Sequence, residues 1–476
     1  MFNNNQILTE TQIYKAQENQ KIDEQHTKIP TWYKIVKGCT IICILGFIAG
    51  HTIITGYYCN SRVMYYGMLQ YAYVNSAKIA VCLAFLVISL IVTKRATKPT
   101  SSAKSRNTTL IADLVANLVF IALLTADLVI FMKQFDNIDY GPLTIINGNQ
   151  TQIHWYTKAK TSSMVQVGGD VYSDPAASHY HNVLVNGTNF NYAIEGFDQS
   201  FSYALPQETK KFIVMTDIHG HDEYLTAMDQ DYDFGLFAGD YSYGGMAFEF
   251  SKTFKRAHQK PLILAVGNHD SVGQIDSLVT RPRNFYQSVN GVGFYVIYIL
   301  NDESLWSAQR VNHDCVDEAL DFINQNAYLS ENNSHVFIVS HRAVYSAGEN
   351  GSDAYFTTKF EEFMATTQLK NIRCVFSGHD HVFSAFKKDN VMYLVAGSGG
   401  GPLDGMMDMG ARSWDTEEIS GPLPEKDSSM MGYQHHLESF VTYTRTEVNI
   451  ESGKIVYHVR DLTTMEVKTT FEQVIQ

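Results

Sequence analysis

Apolar and polar positions change rhythm several times along the chain. Residues 1–34 are polar, rich in Asn, Gln and Thr, with balanced charge, and read as a disordered tail. Three apolar segments follow, at about residues 35–57, 69–93 and 110–132. The first and third are each long enough to cross about 30 Å of hydrocarbon as a helix. The middle one is uninterrupted only over residues 79–93 and needs residues 69–78, with Asn75, to complete it; Lys78 can snorkel. In the third, Asp113 and Asp127 lie near the ends, while Asn117 sits inside the apolar stretch and has to face another helix. The first and third segments lack the 3.6-residue amphipathic period of a soluble bundle, so the pattern predicts three transmembrane helices within residues 35–132.

Over residues 141–206 the period shortens to two. Ile153 and Trp155 alternate with polar neighbours, as do Phe190, Tyr192 and Ile194, and then Phe201, Tyr203 and Leu205. With turn signals such as Asn186-Gly187, this predicts a small antiparallel β-sandwich. Residues 211–476 change again, to short apolar runs that read as buried strands. Residues 315–328, with Asp314 as N-cap, and residues 360–369 read as helices covering the sheet. Residues 399–432 are long and aperiodic and carry Met406, Met407, Met409, Met430 and Met431; such a loop beside a strand end is a candidate substrate-selecting wall.

Five of those strand ends carry metal-ligand residue types. Phe212-Ile213-Val214-Met215 leads into Asp217-Ile218-His219-Gly220, and Phe234-Gly235-Leu236-Phe237-Ala238 into Gly239-Asp240-Tyr241-Ser242-Tyr243. Leu262-Ile263-Leu264 closes on Ala265-Val266-Gly267-Asn268-His269-Asp270. Val336-Phe337-Ile338-Val339 precedes Ser340-His341-Arg342, and Ile372-Arg373-Cys374-Val375-Phe376 precedes Ser377-Gly378-His379-Asp380-His381. The C-terminal ends of strands are where open α/β sheets bind ligands. His221, His313, His335, His435 and His436 have no such motif around them.

In this order the motifs resemble those of the calcineurin-like metallophosphoesterase superfamily, D-x-H, G-D, G-N-H-D/E, H and G-H-x-H. The resemblance implies an α/β fold, two packed mixed sheets flanked by helices, and a two-metal site. Asp217, His219, Asp240 and His381 would hold one ion and Asp240, Asn268, His341 and His379 the other, with Asp240 bridging. Two cations about 3.5 Å apart clamp a bridging hydroxide and the phosphoryl oxygens in an in-line displacement. Oxygen and imidazole ligands suit Fe, Zn or Mn alike. His269 inherits the role of contacting the phosphate and protonating the leaving group, with Asp270 able to fix its tautomer.

Within that superfamily the chain is most similar to purple acid phosphatases. Residues 141–206 resemble their fibronectin-like N-terminal domain, and Gly239-Asp240-Tyr241-Ser242-Tyr243 fits G-D-x-x-Y, whose tyrosine ligates ferric iron. Those enzymes usually have Gly where this chain has His219, so His219 and Tyr243 compete for one role. Where plant-type members place a further substrate-facing histidine, this chain has Glu349-Asn350-Gly351.

Charge adds orientation and excludes one partner class. Lys and Arg total 36 against 49 for Asp and Glu, a net charge of −13, which argues against nucleic acid as a partner. Residues 94–109 nevertheless carry Lys94, Arg95, Lys98, Lys104 and Arg106 with no acidic residue, whereas residues 58–77 carry only Arg62. By the positive-inside rule the basic linker and the N-terminal tail are cytoplasmic and everything past residue 132 is extracellular or lumenal. The N-terminal pattern is not that of a signal peptide. Sequons at Asn149, Asn186, Asn332 and Asn350 fall on the outer side, and the one at Asn107 does not. Cys39, Cys43, Cys59 and Cys82 belong to the apolar region, and spacing leaves a Cys315 to Cys374 bridge open. The combined expectation is a membrane-anchored phosphatase acting on small phosphomonoesters. The alternatives are a phosphodiesterase of nucleotides or lipid head groups, and a catalytically degenerate receptor or scaffold.

Overall fold

The computed structural model describes residues 14–15, 31–60, 66–96, 103–136, 142–221, 232–242, 253, 260–270, 282–299, 311–404, 406, 418–420 and 433–475. Most of the tail expected over residues 1–34, Tyr243, and most of residues 405–432 lie outside them, while residues 31–34 of that expected tail are helical. The chain divides into two compact units, Met1–Ser61 with Met68–Phe135 and Arg62–Gly67 with Asp136–Gln476.

The first unit is helical. α1 spans Thr31–Asn60, α2 Tyr66–Ala96 and α3 Ala103–Asp136, one for each apolar segment. Among the described residues one stretch, Asn107–Ala126, is long and apolar enough to cross a membrane by length and composition. Each helix contributes polar side chains to one buried cluster. Asp113 of α3 accepts from Lys37 Nζ of α1 at 2.9 Å, from Ser89 Oγ of α2 at 2.5 Å and from the Tyr33 hydroxyl of α1. Asn117 does turn toward another helix, donating to Ser89 Oγ at 3.0 Å. Tyr33 also meets Thr93 of α2 at 2.9 Å.

The second unit begins with β1 (Leu143–Asn147), β2 (Gln150–Val167), β3 (Asp170–Asn186), β4 (Asn189–Ile194) and β5 (Ser200–Ala204). The alternation read from the sequence is realised: Ile153, Trp155, Tyr192, Ile194 and Tyr203 share an apolar cluster with Val165, Val183 and Val185. The strands do not close on themselves. β1 pairs in parallel with β8 (Leu262–Leu264), so β1 to β5 extend the sheet that carries the metal motifs. The cause lies in Leu143-Thr144-Ile145-Ile146, all four buried, the signature of an interior rather than an edge strand.

That sheet continues through β7 (Phe234–Phe237) and β6 (Lys211–Met215) to β17 (Thr444–Glu451), β18 (Lys454–Asp461) and β19 (Val467–Val474). A second mixed sheet contains β9 (Phe285–Val289), β10 (Val292–Ile297), β11 (His335–Ser340), β12 (Ile372–Ser377), β13 (Phe383–Lys388), β14 (Val391–Ala396), β15 (Glu418–Ser420) and β16 (His436–Phe440). The pleat explains its continuous apolar runs. Phe294, Val296, Phe337, Val339 and Phe376 pack between the sheets against Phe212, Val214, Leu236 and Ile263. Tyr295, Ile297, Val336, Ile338 and Val375 face α4 (His313–Gln325) and α5 (Ala354–Thr366) on the other side. Burial on both faces erases alternation.

Both helices start earlier than the sequence suggests. Asn312, not Asp314, caps α4, accepting from Cys315 N at 3.2 Å, and Asp353 caps α5, accepting from Phe356 N at 3.0 Å. Cys315 and Cys374 are free thiols, so the bridge left open by their spacing is not formed.

Candidate metal centre

β6, β7 and β8 run parallel, as do β10, β11, β12 and β14, so the turns after β6, β7, β8, β11 and β12 meet at one end of the two sheets. Four of the motif residues there, Asp217, His219, Asp240 and His379, have φ of 51°, 53°, 54° and 74°, left-handed values that side chains disfavour. Such strain persists only where the surroundings over-determine it. Here the turns hold one another: Asp217 N donates to Gly239 O at 3.1 Å, Ile218 N to Asp240 O at 2.9 Å and Gly378 N to His341 O at 2.9 Å. Gly239 and Gly267 make the approach possible. A Cβ on Gly239 would stand 2.7 Å from Gly267 N and His341 Nδ1, and one on Gly267 2.0 Å from Asp240 Oδ1.

The side chains form two sets around Asp240. In one, Asp217 Oδ1 lies 3.4 Å from His381 Nε2 and 3.8 Å from His219 Nε2, and the two Nε2 atoms are 3.0 Å apart. In the other, Asn268 Oδ1 lies 3.0 Å from His341 Nε2 and 2.8 Å from His379 Nδ1. Asp240 Oδ2 reaches both, at 3.8 Å from His219 Nε2 and 3.1 Å from His341 Nε2, with His269 Nε2 at 4.0 Å.

These residues fit cations. His341 donates Nδ1–H to the Ala238 carbonyl at 2.9 Å, which leaves a lone pair on Nε2. That lone pair faces two acceptors, Asn268 Oδ1 and Asp240 Oδ2. His381 repeats the arrangement: its Nδ1–H donates to the Pro402 carbonyl, while Nε2 faces His219 Nε2 and Asp217 Oδ1. Acceptors facing buried acceptors are stable only with positive charge between them. Two ligand atoms about 2.1 Å from one ion and at right angles lie about 3.0 Å apart, matching the shortest separations here. Asp217 Oδ1 and His379 Nε2 are buried with no hydrogen-bond partner among the described residues.

Protons supply that charge when metal does not. Burial opposes a charge on His341, but Asp240 and Asp217 outweigh it and push its pKa up to about 9. Against the same opposition Asp217, with Asp404 and Pro402, raises His381 to about 10. Burial lowers His219 to about 4 and carries His379 well below the ordinary range, with Arg342 and His341 adding to the effect on His379. Burial also works against the charges on Asp217 and Asp240, yet the surrounding histidines hold both carboxyls below the usual carboxylate range.

The structure therefore brings together Asp217, His219, Asp240, Asn268, His269, His341, His379 and His381. Asp270 has another task. Its buried carboxylate accepts from Tyr241 N at 2.9 Å, Ser242 N at 3.3 Å and Gly267 N at 3.1 Å, bracing the second and third motifs rather than orienting His269. Sequence reasoning missed Pro402 and Asp404, which hold His381, and Asp380, which accepts from Asn350 N at 2.9 Å and from Ser346 Oγ. Only the place of Asp380 between His379 and His381 hinted at the last.

The family described as Calcineurin-like phosphoesterase matches residues 210–383, a span holding every donor named above. No curated protein sequence matches the chain. Among solved structures the chain is similar to a purple acid phosphatase, PPD1, from yellow lupin (Lupinus luteus), at 10% identity and a TM-score of 0.48, over 70% of this chain and 74% of that one. It is also similar to PhoD, at 10% identity and 0.47 over 71% and 88%, and to GAP50, the anchor in the inner membrane complex of Plasmodium, at 12% and 0.40 over 56% and 89%. The chain carries a calcineurin-like phosphoesterase domain and is a metal-dependent phosphoester hydrolase.

Proposed function

We propose that this metal-dependent phosphoester hydrolase is a membrane-anchored, two-ion phosphatase of small phosphomonoesters, most like purple acid phosphatases. The observation that carries the reading is the pair of donor sets sharing Asp240 Oδ2. Asp217, His219, Asp240 and His381 would hold one ion and Asp240, Asn268, His341 and His379 the second. Bound there, Fe, Zn or Mn would supply a nucleophile at neutral pH and neutralise phosphoryl charge.

The chain's own groups do the rest. His269, its side chain 13% exposed and its backbone N–H tied to Asp240 Oδ1 at 2.9 Å, stands at the rim of the donor sets, where it can pass a proton to a leaving oxygen. Asp270 keeps the loops of Asp240 and Asn268 in register through its three N–H acceptances. The left-handed turns, hydrogen-bonded to one another through their backbones, keep the donors converged before substrate arrives.

The strands of residues 142–206 stand where a fibronectin-like domain precedes the catalytic motifs in purple acid phosphatases. Three long helices over the apolar segments, one of them with a stretch apolar enough to span a membrane, and the basic run between Lys94 and Arg106 support an N-terminus in the cytoplasm and a catalytic unit on the extracellular or lumenal side. The test is metal analysis of the purified chain together with a substrate panel. Two ions per chain and faster turnover of monoesters than of diesters are expected; faster diester turnover would move the reading to a phosphodiesterase.

A further inference from the structure

The chain that leaves β14 folds back over half of the metal centre. Gly399 N donates to Thr216 O at 2.7 Å and Gly401 N to Asp217 O at 2.8 Å, while Ser398 Oγ donates to Gly401 O at 2.7 Å. A Cβ on Gly401 would stand 2.4 Å from His219 Cδ2, so the segment lies directly on that imidazole. It then reaches His381, where the Pro402 carbonyl takes Nδ1–H and Asp404 Oδ2 accepts the backbone N–H at 3.1 Å. The same carboxylate oxygen is 3.9 Å from Nδ1, with 28% of the side chain exposed. Of the metal-motif donors, the segment touches Asp217, His219 and His381, all members of a single donor set.

We propose that Asp404 is a positioning residue for that set: it fixes His381 through the backbone N–H and sets a negative charge beside Nδ1, keeping Nδ1–H on the protein and Nε2 in the centre. The proposal rests on the two-ion reading. A hydrogen-bonded, electron-rich imidazole is a stronger ligand, and outer partners of this kind change metal affinity by about 10- to 100-fold. Asp404 thereby makes the two ion positions unequal, although it touches neither reacting atoms nor ion.

The experiment strips the full-length chain with a chelator and retitrates it with Mn²⁺ against a competing indicator. The wild type, Asp404→Asn and Asp404→Ala are compared, with the unfolding midpoint of each metal-free protein and KM for p-nitrophenyl phosphate at saturating Mn²⁺. In Asp404→Ala one of the two ions should bind about 10- to 100-fold more weakly while the other is unchanged. Asp404→Asn, which keeps an acceptor for the N–H and loses the charge, should fall between. Midpoint and KM should stay at the wild-type values. Wild-type affinity for both ions in Asp404→Ala would overturn the proposal, as would an altered KM with intact affinities, which would place Asp404 against substrate. Equal weakening of both ions with a lowered midpoint would reduce it to general support of the fold. A wild-type chain that binds one ion would instead sink the two-ion reading beneath it.

Discussion

Two of the buried polar clusters among the described residues, one in the helical unit and one at the metal centre, solve burial in opposite ways. In the helical unit, Asp113 faces only donors, Lys37, Ser89 and Tyr33, and one positive charge answers one negative. In the metal centre, lone pairs on His341 and His381 face carboxylate and carboxamide acceptors. Both clusters are buried and both hold carboxylates, so neither burial nor residue type tells them apart. What separates them is whether donors and acceptors balance inside the protein. A balanced cluster needs nothing further and serves to fix how helices pack; an unbalanced one calls for a ligand of the missing sign.

The contrast is easiest to break at Asp240, the atom common to both donor sets. Asp240→Asn removes a carboxylate charge that both sets use, so metal content and turnover should collapse together, turnover by about 10³-fold or more. Full metal occupancy in that variant, measured by elemental analysis, would mean that the imbalance is not what binds the ions. His269 probes the edge of the same centre. His269→Ala should retain both ions and lose about 10²- to 10⁴-fold in turnover on alkyl phosphates, with a smaller loss on a nitrophenyl ester whose leaving group needs no proton. Metal loss would make His269 a ligand.

The helical cluster should respond to the opposite logic. Asp113→Ala leaves the Lys37 ammonium buried without its counter-charge, a change that costs about 3–5 kcal/mol in buried pairs. The buried Cys82 of α2 would report it as faster reaction with a thiol reagent. Replacing both partners, Lys37→Met with Asp113→Leu, should bring Cys82 protection back to within about 1 kcal/mol of wild type, because no unpaired charge remains. A double variant as loose as the single one would show that the pair does more than balance itself.

The finest test is in protons. His341 and His381, raised to about 9 and about 10 in the metal-free protein, are charged at neutral pH, and ligation requires them deprotonated. Ion binding should therefore release about two protons at pH 7, and affinity should weaken as pH falls. Calorimetry in buffers of different ionisation heat reads the number. Affinity that strengthens with acid would contradict the electrostatics of the centre.

How much of this could be read from sequence depended on how local the signal was. Each metal motif sits directly after an apolar run, so strand, turn and ligand are written within about ten residues, and the seven donors of the two sets were legible that way. Contacts that cross the fold were not. Asp404 reaches His381 from 23 positions away, within a stretch whose aperiodicity suggested a wall for substrate. Asp270 follows His269 in the chain, which implied a pair, but adjacency does not fix side-chain direction and its carboxylate turned to three N–H groups. β1 escaped for a related reason: four buried residues in a row carry no period to say which strand they join.

That strand bears on where this protein can be cut. Motif matching begins at residue 210, and a recombinant fragment started there would look complete on paper. It would lack Leu143–Asn147, whose Ile145 pairs with Leu262, and so would strip β8 of one of its two parallel neighbours and leave it an edge strand. The exposed rim of β8 immediately precedes the loop that supplies Asn268 and His269, and an unpaired rim invites strands of other molecules. Soluble fragments for crystallisation or assay therefore belong on the far side of β1, starting between the end of α3 and Leu143, with residues 142–206 kept as part of the catalytic body.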